Sequence, residues 1–147
     1  NLARINLYHY IKKLSDNLVS SISRNSNLIS IEIEMNDLYF DINMAIPFGL
    51  IINEIMSNSL KYAFKEDQKG LIKIALTQTD GIYKLEISDD GVGISSDIDL
   101  KEASTLGLQL VSALANQLKA ECEVNNKNGT HYTLSFADVE LKTYRKF

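Results

Sequence analysis

The chain has 147 residues, 45% of them hydrophobic and 23% charged, the balance of an ordinary soluble globular protein long enough for one core. Its formal net charge of -4 argues against a dedicated nucleic-acid or anionic-membrane surface, and no apolar run approaches the ~20 residues that a spanning helix needs. Cys122 is the only cysteine, which excludes an intrachain disulfide and a cysteine zinc site. The N-terminus, NLARINLYHY, has neither a signal-peptide pattern nor an initiator methionine. The chain is therefore expected to be a cytoplasmic piece of a longer protein, whose other parts can still anchor it to a membrane.

Residues 5–22 place Leu7, Ile11, Leu14, Leu18 and Ile22 at helical spacing, which predicts an amphipathic helix. Ile29, Ile31 and Ile33 alternate with Ser30, Glu32 and Glu34, the pattern of a half-buried strand. After a turn at 35–37, residues 38–42 are expected to form a second, short strand. A helix is then predicted over residues 47–64, PFGLIINEIMSNSLKYAF, with Pro47 in its first turn, where a missing N–H costs nothing. Ile52, Ile55, Met56, Leu60 and Ala63 fall on one side of it, and Glu54, Asn58 and Lys61 on the other. Asn53 and Asn58 stand mid-helix although Asn is a poor helix former. A carboxylate, an amide and an ammonium in line can bind a metal–phosphate group. Read alone, the same stripe is an ordinary solvated face, so the downstream segments must decide.

The polar connection KEDQKG ends at Gly70. Residues 71–78 form a strand with Ile72, Ile74 and Leu76 on one face, and Thr79-Asp80-Gly81 signals a hairpin into a strand marked by Tyr83, Leu85 and Ile87. That strand runs into Asp89-Asp90-Gly91-Val92-Gly93. Residues 95–104 are polar and without periodicity, and Leu110, Val111, Leu114 and Leu118 stripe a third helix. Ala120, Cys122 and Val124 alternate in a strand, with Cys122 expected as a small buried residue. Lys127-Asn128-Gly129 turns the chain into a last strand marked by Tyr132, Leu134 and Phe136, and residues 138–147 form a charged tail. Strands with one apolar face, interspersed with helices, predict an α/β two-layer sandwich (α+β): a mixed, largely antiparallel sheet covered on one face by about three helices. Residues 1–147 are expected to be one domain, with 1–24 as a leading helix.

Three further stretches carry chemistry. Asp89-x-Gly91-x-Gly93 closes a strand with a carboxylate that can accept a hydrogen bond from an exocyclic amine, and its glycines let a flat ligand approach. Thr105-Leu106-Gly107-Leu108-Gln109 opens a helix, whose first N–H groups and dipole favour phosphate. Gly129-Thr130 precedes the last strand. Each is a weak signal alone, since tight turns and helix starts are common. Their order and separation are far more specific.

In that order, Asn53-Glu54-x-x-x-Asn58-x-x-Lys61-Tyr62 resembles the N box of histidine-kinase ATP-binding domains. Asp89-Asp90-Gly91-Val92-Gly93 resembles their G1 box, Leu106-Gly107-Leu108-Gln109-Leu110-Val111 their G2 box, and Gly129-Thr130 their G3 position. The resemblance covers residues 45–136 and implies the Bergerat ATP-binding fold of the GHKL superfamily, shared with the ATPase domains of gyrase, the ninety-kilodalton heat-shock chaperone and MutL. Leu2-Ala3-Arg4-Ile5-Asn6 with Tyr10-Ile11 is similar to the stretch that follows the dimerisation helices in the second histidine-kinase dimerisation family. Three departures stand out. Ala103, Ser104 and Thr105 occupy positions where relatives carry further glycines, no F box is visible, and Lys61-Tyr62 replaces the commoner Lys-His.

The resemblance implies an ATP–Mg²⁺-dependent protein histidine kinase domain. In it, Asp89 binds the adenine amino group with help from Thr130 and ordered water, and Gly91 and Gly93 wrap the base. Asn58 ligates Mg²⁺, Lys61 and Tyr62 sit by the nucleotide, and the backbone from Leu106 to Leu108 holds the triphosphate. Glu54 acts as a base toward the acceptor or orients a metal-bound water. The implied partners are an upstream dimerisation and phosphoacceptor domain and a response-regulator receiver domain, with no nucleic acid and no membrane contact from this chain. Neither His9 nor His131 is followed by an acidic residue, so both read as surface histidines and the chain is not expected to phosphorylate itself. A serine kinase of the anti-sigma-factor type is the alternative on the same fold, and a non-catalytic nucleotide-binding module is a third reading.

Overall fold

A computed structural model describes residues 4–22, 28–64, 67–91, 106–125 and 128–137. In chain order these form β1 (Arg4–Asn6), α1 (Leu7–Ile22), β2 (Ile29–Met35), β3 (Tyr39–Asp41), α2 (Ile42–Asn58) continued by a π-helical turn (Ser59–Ala63), β4 (Gly70–Thr79), β5 (Ile82–Asp89), α3 (Leu106–Gln117), β6 (Glu121–Asn125) and β7 (His131–Ala137). One sheet has five strands in the order β2-β4-β5-β7-β6, and β1 and β3 make a separate two-stranded ribbon. Only the β2–β4 pair is parallel in the larger sheet. That pair needs a crossover, and the chain makes it through α2. The other connections within the sheet can be tight: Asp80 and Gly81, with φ of 54° and 78°, supply the two left-handed residues of the β4–β5 turn.

The mixed sheet and the helices on one of its faces agree with the expected sandwich. Ile72, Ile74, Leu76, Tyr83, Leu85, Ile87, Tyr132, Leu134 and Phe136 all point to the covered face. Phe48, Ile51, Ile52, Ile55 and Met56 of α2, Leu7 and Ile11 of α1, and Val111 and Leu114 of α3 meet them there. On the other face Lys73, Lys84, Glu86 and His131 are exposed. Phe40, Phe48, Tyr83 and Phe136 close the core where β5 begins, with ring centroids 5.0 Å apart for Phe40–Tyr83 and 5.5 Å for the stacked Tyr83–Phe136 pair. Asp89 leaves the sheet at the opposite end of β5.

Helix boundaries depart from the sequence reading where side chains cap them. Ile5 is not helical: it pairs with Phe40 in the ribbon, and Asn6 Oδ1 accepts the His9 N–H at 3.1 Å, so that α1 starts at Leu7. Ile42, expected in a strand, opens α2, because Asp41 Oδ1 accepts the Met44 N–H at 3.2 Å. Pro47 consequently lies inside the helix rather than in its first turn. The ring removes the donor for the carbonyl of Asn43, an exposed residue where water can take its place. Cys122 is exposed rather than buried: it shares a row with buried Leu134, but β6 is the sheet edge and that row runs out to solvent. The predicted polar stretch 95–104 and the tail 138–147 lie outside the described residues. Among the described residues no helix is long and apolar enough to cross a membrane.

Candidate functional site

Asp89 ends β5 beneath the C-terminal end of α2 and is 4% exposed. A buried carboxylate is costly unless donors surround it. Here Oδ1 accepts the Gly91 N–H at 3.1 Å and the Thr130 N–H at 3.2 Å, while Oδ2 accepts the Ser59 hydroxyl at 2.8 Å. The Asp89 N–H in turn donates to the Thr130 carbonyl at 3.0 Å. Asp90 fastens the loop on its other side: Oδ1 accepts the Leu71 N–H at 2.8 Å, and its own N–H donates to the Leu71 carbonyl at 3.2 Å.

Two glycines let the three backbones touch. A Cβ on Gly91 would run into the carbonyl of Ala63, at the end of the π-helical turn. Gly129 has φ of +97°, and a Cβ there would run into the carbonyl of Asp89. The end of α2, the loop after β5 and the turn before β7 are thus packed backbone to backbone around one carboxylate.

Two hydroxyls beside it are buried without a hydrogen-bond partner among the described residues, Thr130 Oγ1 and the phenol of Tyr132. Thr130 is 1% exposed and Tyr132 2%. Burial first, then the Asp89 carboxylate and the Cys122 thiol, push the Tyr132 hydroxyl up to about 12, so it keeps its proton and remains a donor at any ordinary pH. Buried hydroxyls are nearly always paired. This pair offers polar contacts to a ligand or an ordered water at the edge of Asp89.

The other predicted residues lie on α2, the π-helical turn and α3. Glu54 and Asn58 are both half-buried and lie one helical turn apart on the same side of α2. Lys61 and Tyr62 are exposed in the π-helical turn, Tyr62 by 67%. Leu106, Gly107 and Leu108 form the first turn of α3. The far end of that helix is tied down where the Ala120 N–H donates to the Ala115 carbonyl at 2.8 Å and β6 begins opposite Ser135. Gly93 lies outside the described residues.

Ser59 and Tyr132 belong to the site and were not singled out from the sequence. A readable signal existed for Ser59. It stands four residues after Ile55 and three after Met56, on the apolar arc of the helix, where a hydroxyl needs a partner. The π-helical turn had no such signal.

The family described as histidine kinase-, DNA gyrase B- and HSP90-like ATPase matches residues 43–140. The chain is 27% identical over 114 residues to blue-light-activated histidine kinase 2 of Erythrobacter litoralis, a match that spans 77% of this chain and 32% of that protein. It is 26% identical over 106 residues to the anti-sigma F factor of Geobacillus stearothermophilus, covering 63% of this chain and 69% of that one. In fold it is similar to the histidine kinase domain of a blue-light activated histidine kinase from Erythrobacter litoralis, with a TM-score of 0.84 at 24% identity over 95% of this chain and 64% of the other. The chain thus spans about a third of the length of the first of these relatives.

Proposed function

Because the chain belongs to the histidine kinase-, DNA gyrase B- and HSP90-like ATPase family, we propose that it is the ATP–Mg²⁺-binding catalytic domain of a sensor histidine kinase. The observation that carries this reading is Asp89, a buried carboxylate with two donors on one oxygen and one on the other, at the foot of the helix that bears Glu54 and Asn58. An adenine amino group meets the open position. Thr130 supplies a second polar contact, and Gly91 and Gly93 keep the wall beside the base free of side chains. The first turn of α3, from Leu106 to Leu108, offers N–H groups to the phosphates, with Lys61 and Tyr62 at the rim.

The side chains present suit magnesium held mainly by the nucleotide. Among the described residues no group of three or more His, Cys, Asp or Glu could hold a metal by itself. Mg²⁺ keeps several waters and is bound through few protein oxygens and substrate phosphates, so the Asn58 amide oxygen is a sufficient protein ligand. When bound, the ion neutralises phosphate charge. The chain's own part is positioning, as phosphoryl transfer requires. Glu54, one turn from Asn58, takes the proton from the acceptor imidazole as its nitrogen attacks the γ-phosphorus and ADP leaves. The acceptor histidine belongs to an upstream dimerisation domain, and an aspartate of a response-regulator receiver domain takes the phosphoryl group onward. Residues 1–147 act as one cytoplasmic catalytic domain in this scheme, without contact to nucleic acid or membrane.

The likeness to the Geobacillus anti-sigma F factor favours a second reading, a serine kinase on the same fold acting on a protein antagonist. Incubation with γ-labelled ATP separates the two. The chain alone should take up no label, and a histidine-bearing dimerisation domain added in trans should acquire acid-labile phosphate. Robust labelling of the isolated chain, on His9 or His131, would contradict the proposal. Acid-stable phosphoserine on an added protein would favour the second reading.

A further inference from the structure

Ser59 follows Asn58 directly but faces the other way. It is 5% exposed, and its hydroxyl is the donor to Asp89 Oδ2 at 2.8 Å. It lies on the apolar arc of α2, where the π-helical turn begins. The Ser59 N–H is shared between the carbonyls of Ile55 and Met56, four and three residues back, and the π-helical turn starts at this residue. π-bulges inside helices occur often at functional sites. Here Asn58 is half-buried, and the side chain that follows it reaches the buried carboxylate.

Resting on the adenine-nucleotide reading above, we infer that Ser59 is a positioning residue that sets the base preference of the pocket. A carboxylate offers about four lone-pair directions. The N–H groups of Gly91 and Thr130 take both directions of Oδ1, and the Ser59 hydroxyl takes one of Oδ2. The position left is a single acceptor on Oδ2, in a fixed direction. It matches a ligand N–H. A carbonyl at the same place on a base would set acceptor against acceptor, with both desolvated and unpaired. Without the hydroxyl, Oδ2 has two open directions, and nothing on that side holds the carboxylate in rotation. The selectivity for a 6-amino purine therefore depends on a residue that need not touch the base.

The test compares ATP with purine riboside triphosphate, the same nucleotide lacking the 6-amino group, by calorimetric titration of the whole chain. The wild-type chain should prefer ATP. Ser59→Ala should weaken ATP about tenfold, the scale of a hydrogen bond to a charged group, and leave the deamino analogue within about twofold. Ser59→Cys keeps the volume and offers only a weak donor, and should show the same selective loss. Equal losses for both nucleotides, or no loss for ATP, would overturn the role of Ser59 while leaving the pocket intact. A wild-type chain that does not distinguish the two nucleotides would instead overturn the adenine contact of Asp89.

Discussion

Asp89→Asn is expected to weaken ATP binding about a hundredfold, the combined cost of losing a charge-assisted hydrogen bond and facing the amine with a donor. The carboxamide has two orientations. With its NH₂ in place of Oδ1, it would confront the N–H groups of both Gly91 and Thr130, three donors with no acceptor among them. With its NH₂ in place of Oδ2, the oxygen still serves those two groups, and the Ser59 hydroxyl can turn to accept. The second orientation keeps the site folded and reverses the character of its open position from acceptor to donor. Calorimetry should therefore show a chain with an unchanged melting profile to within a few degrees and sharply reduced ATP affinity. Wild-type affinity in a folded Asp89→Asn chain would remove Asp89 from the base contact.

Gly129→Ala should cost about 3 kcal/mol of folding stability, because strain from a residue forced outside its allowed region adds to overlap in a packed backbone. Gly129 combines φ of +97° with a direction in which a Cβ meets the carbonyl of Asp89. No rotamer relieves such a clash, since both partners are backbone. The turn has to move away, and Thr130 moves with it. Both hydrogen bonds between Thr130 and Asp89, the 3.2 Å contact to Oδ1 and the 3.0 Å backbone contact, then lengthen together. Urea unfolding should show a lower midpoint with an unchanged slope, and ATP affinity should fall in the same variant. A Gly129→Ala chain of wild-type stability would mean that the turn is free to relax and does not brace the carboxylate.

Periodicity made the strands and the helix faces legible, because burial of one face is what those patterns encode. Ile72, Ile74 and Leu76, or Tyr132, Leu134 and Phe136, could hardly be arranged otherwise. The boundaries were less legible, since they depend on single capping contacts. Asn6 and Asp41 each start a helix by accepting one N–H, and neither lies in an apolar pattern. Asp41 moved the start of α2 upstream and left Pro47 inside it. At the site, Asp89, Gly91 and Thr130 stood in recognisable order along the chain, and the fold brings them into direct contact. Ser59 is legible only as a hydroxyl on the apolar arc of a helix, which implies a buried partner without naming it. The π-helical turn over Ser59–Ala63 has no counterpart in an apolar-periodicity argument, although Leu60 and Ala63 are buried as that argument expects. Tyr132 was read only as a core residue. Its ring does fill the core, but its hydroxyl ends near Asp89, a fact of strand register rather than of sequence pattern.

The most direct test of the account is a calorimetric titration of the whole chain with ATP, with Mg²⁺ present and then with the ion chelated. The account predicts one saturable site per chain, tighter with Mg²⁺ and retained, more weakly, without it, because Asp89 holds the base and Asn58 acts only through the metal. A folded chain that takes up no ATP under either condition would contradict it.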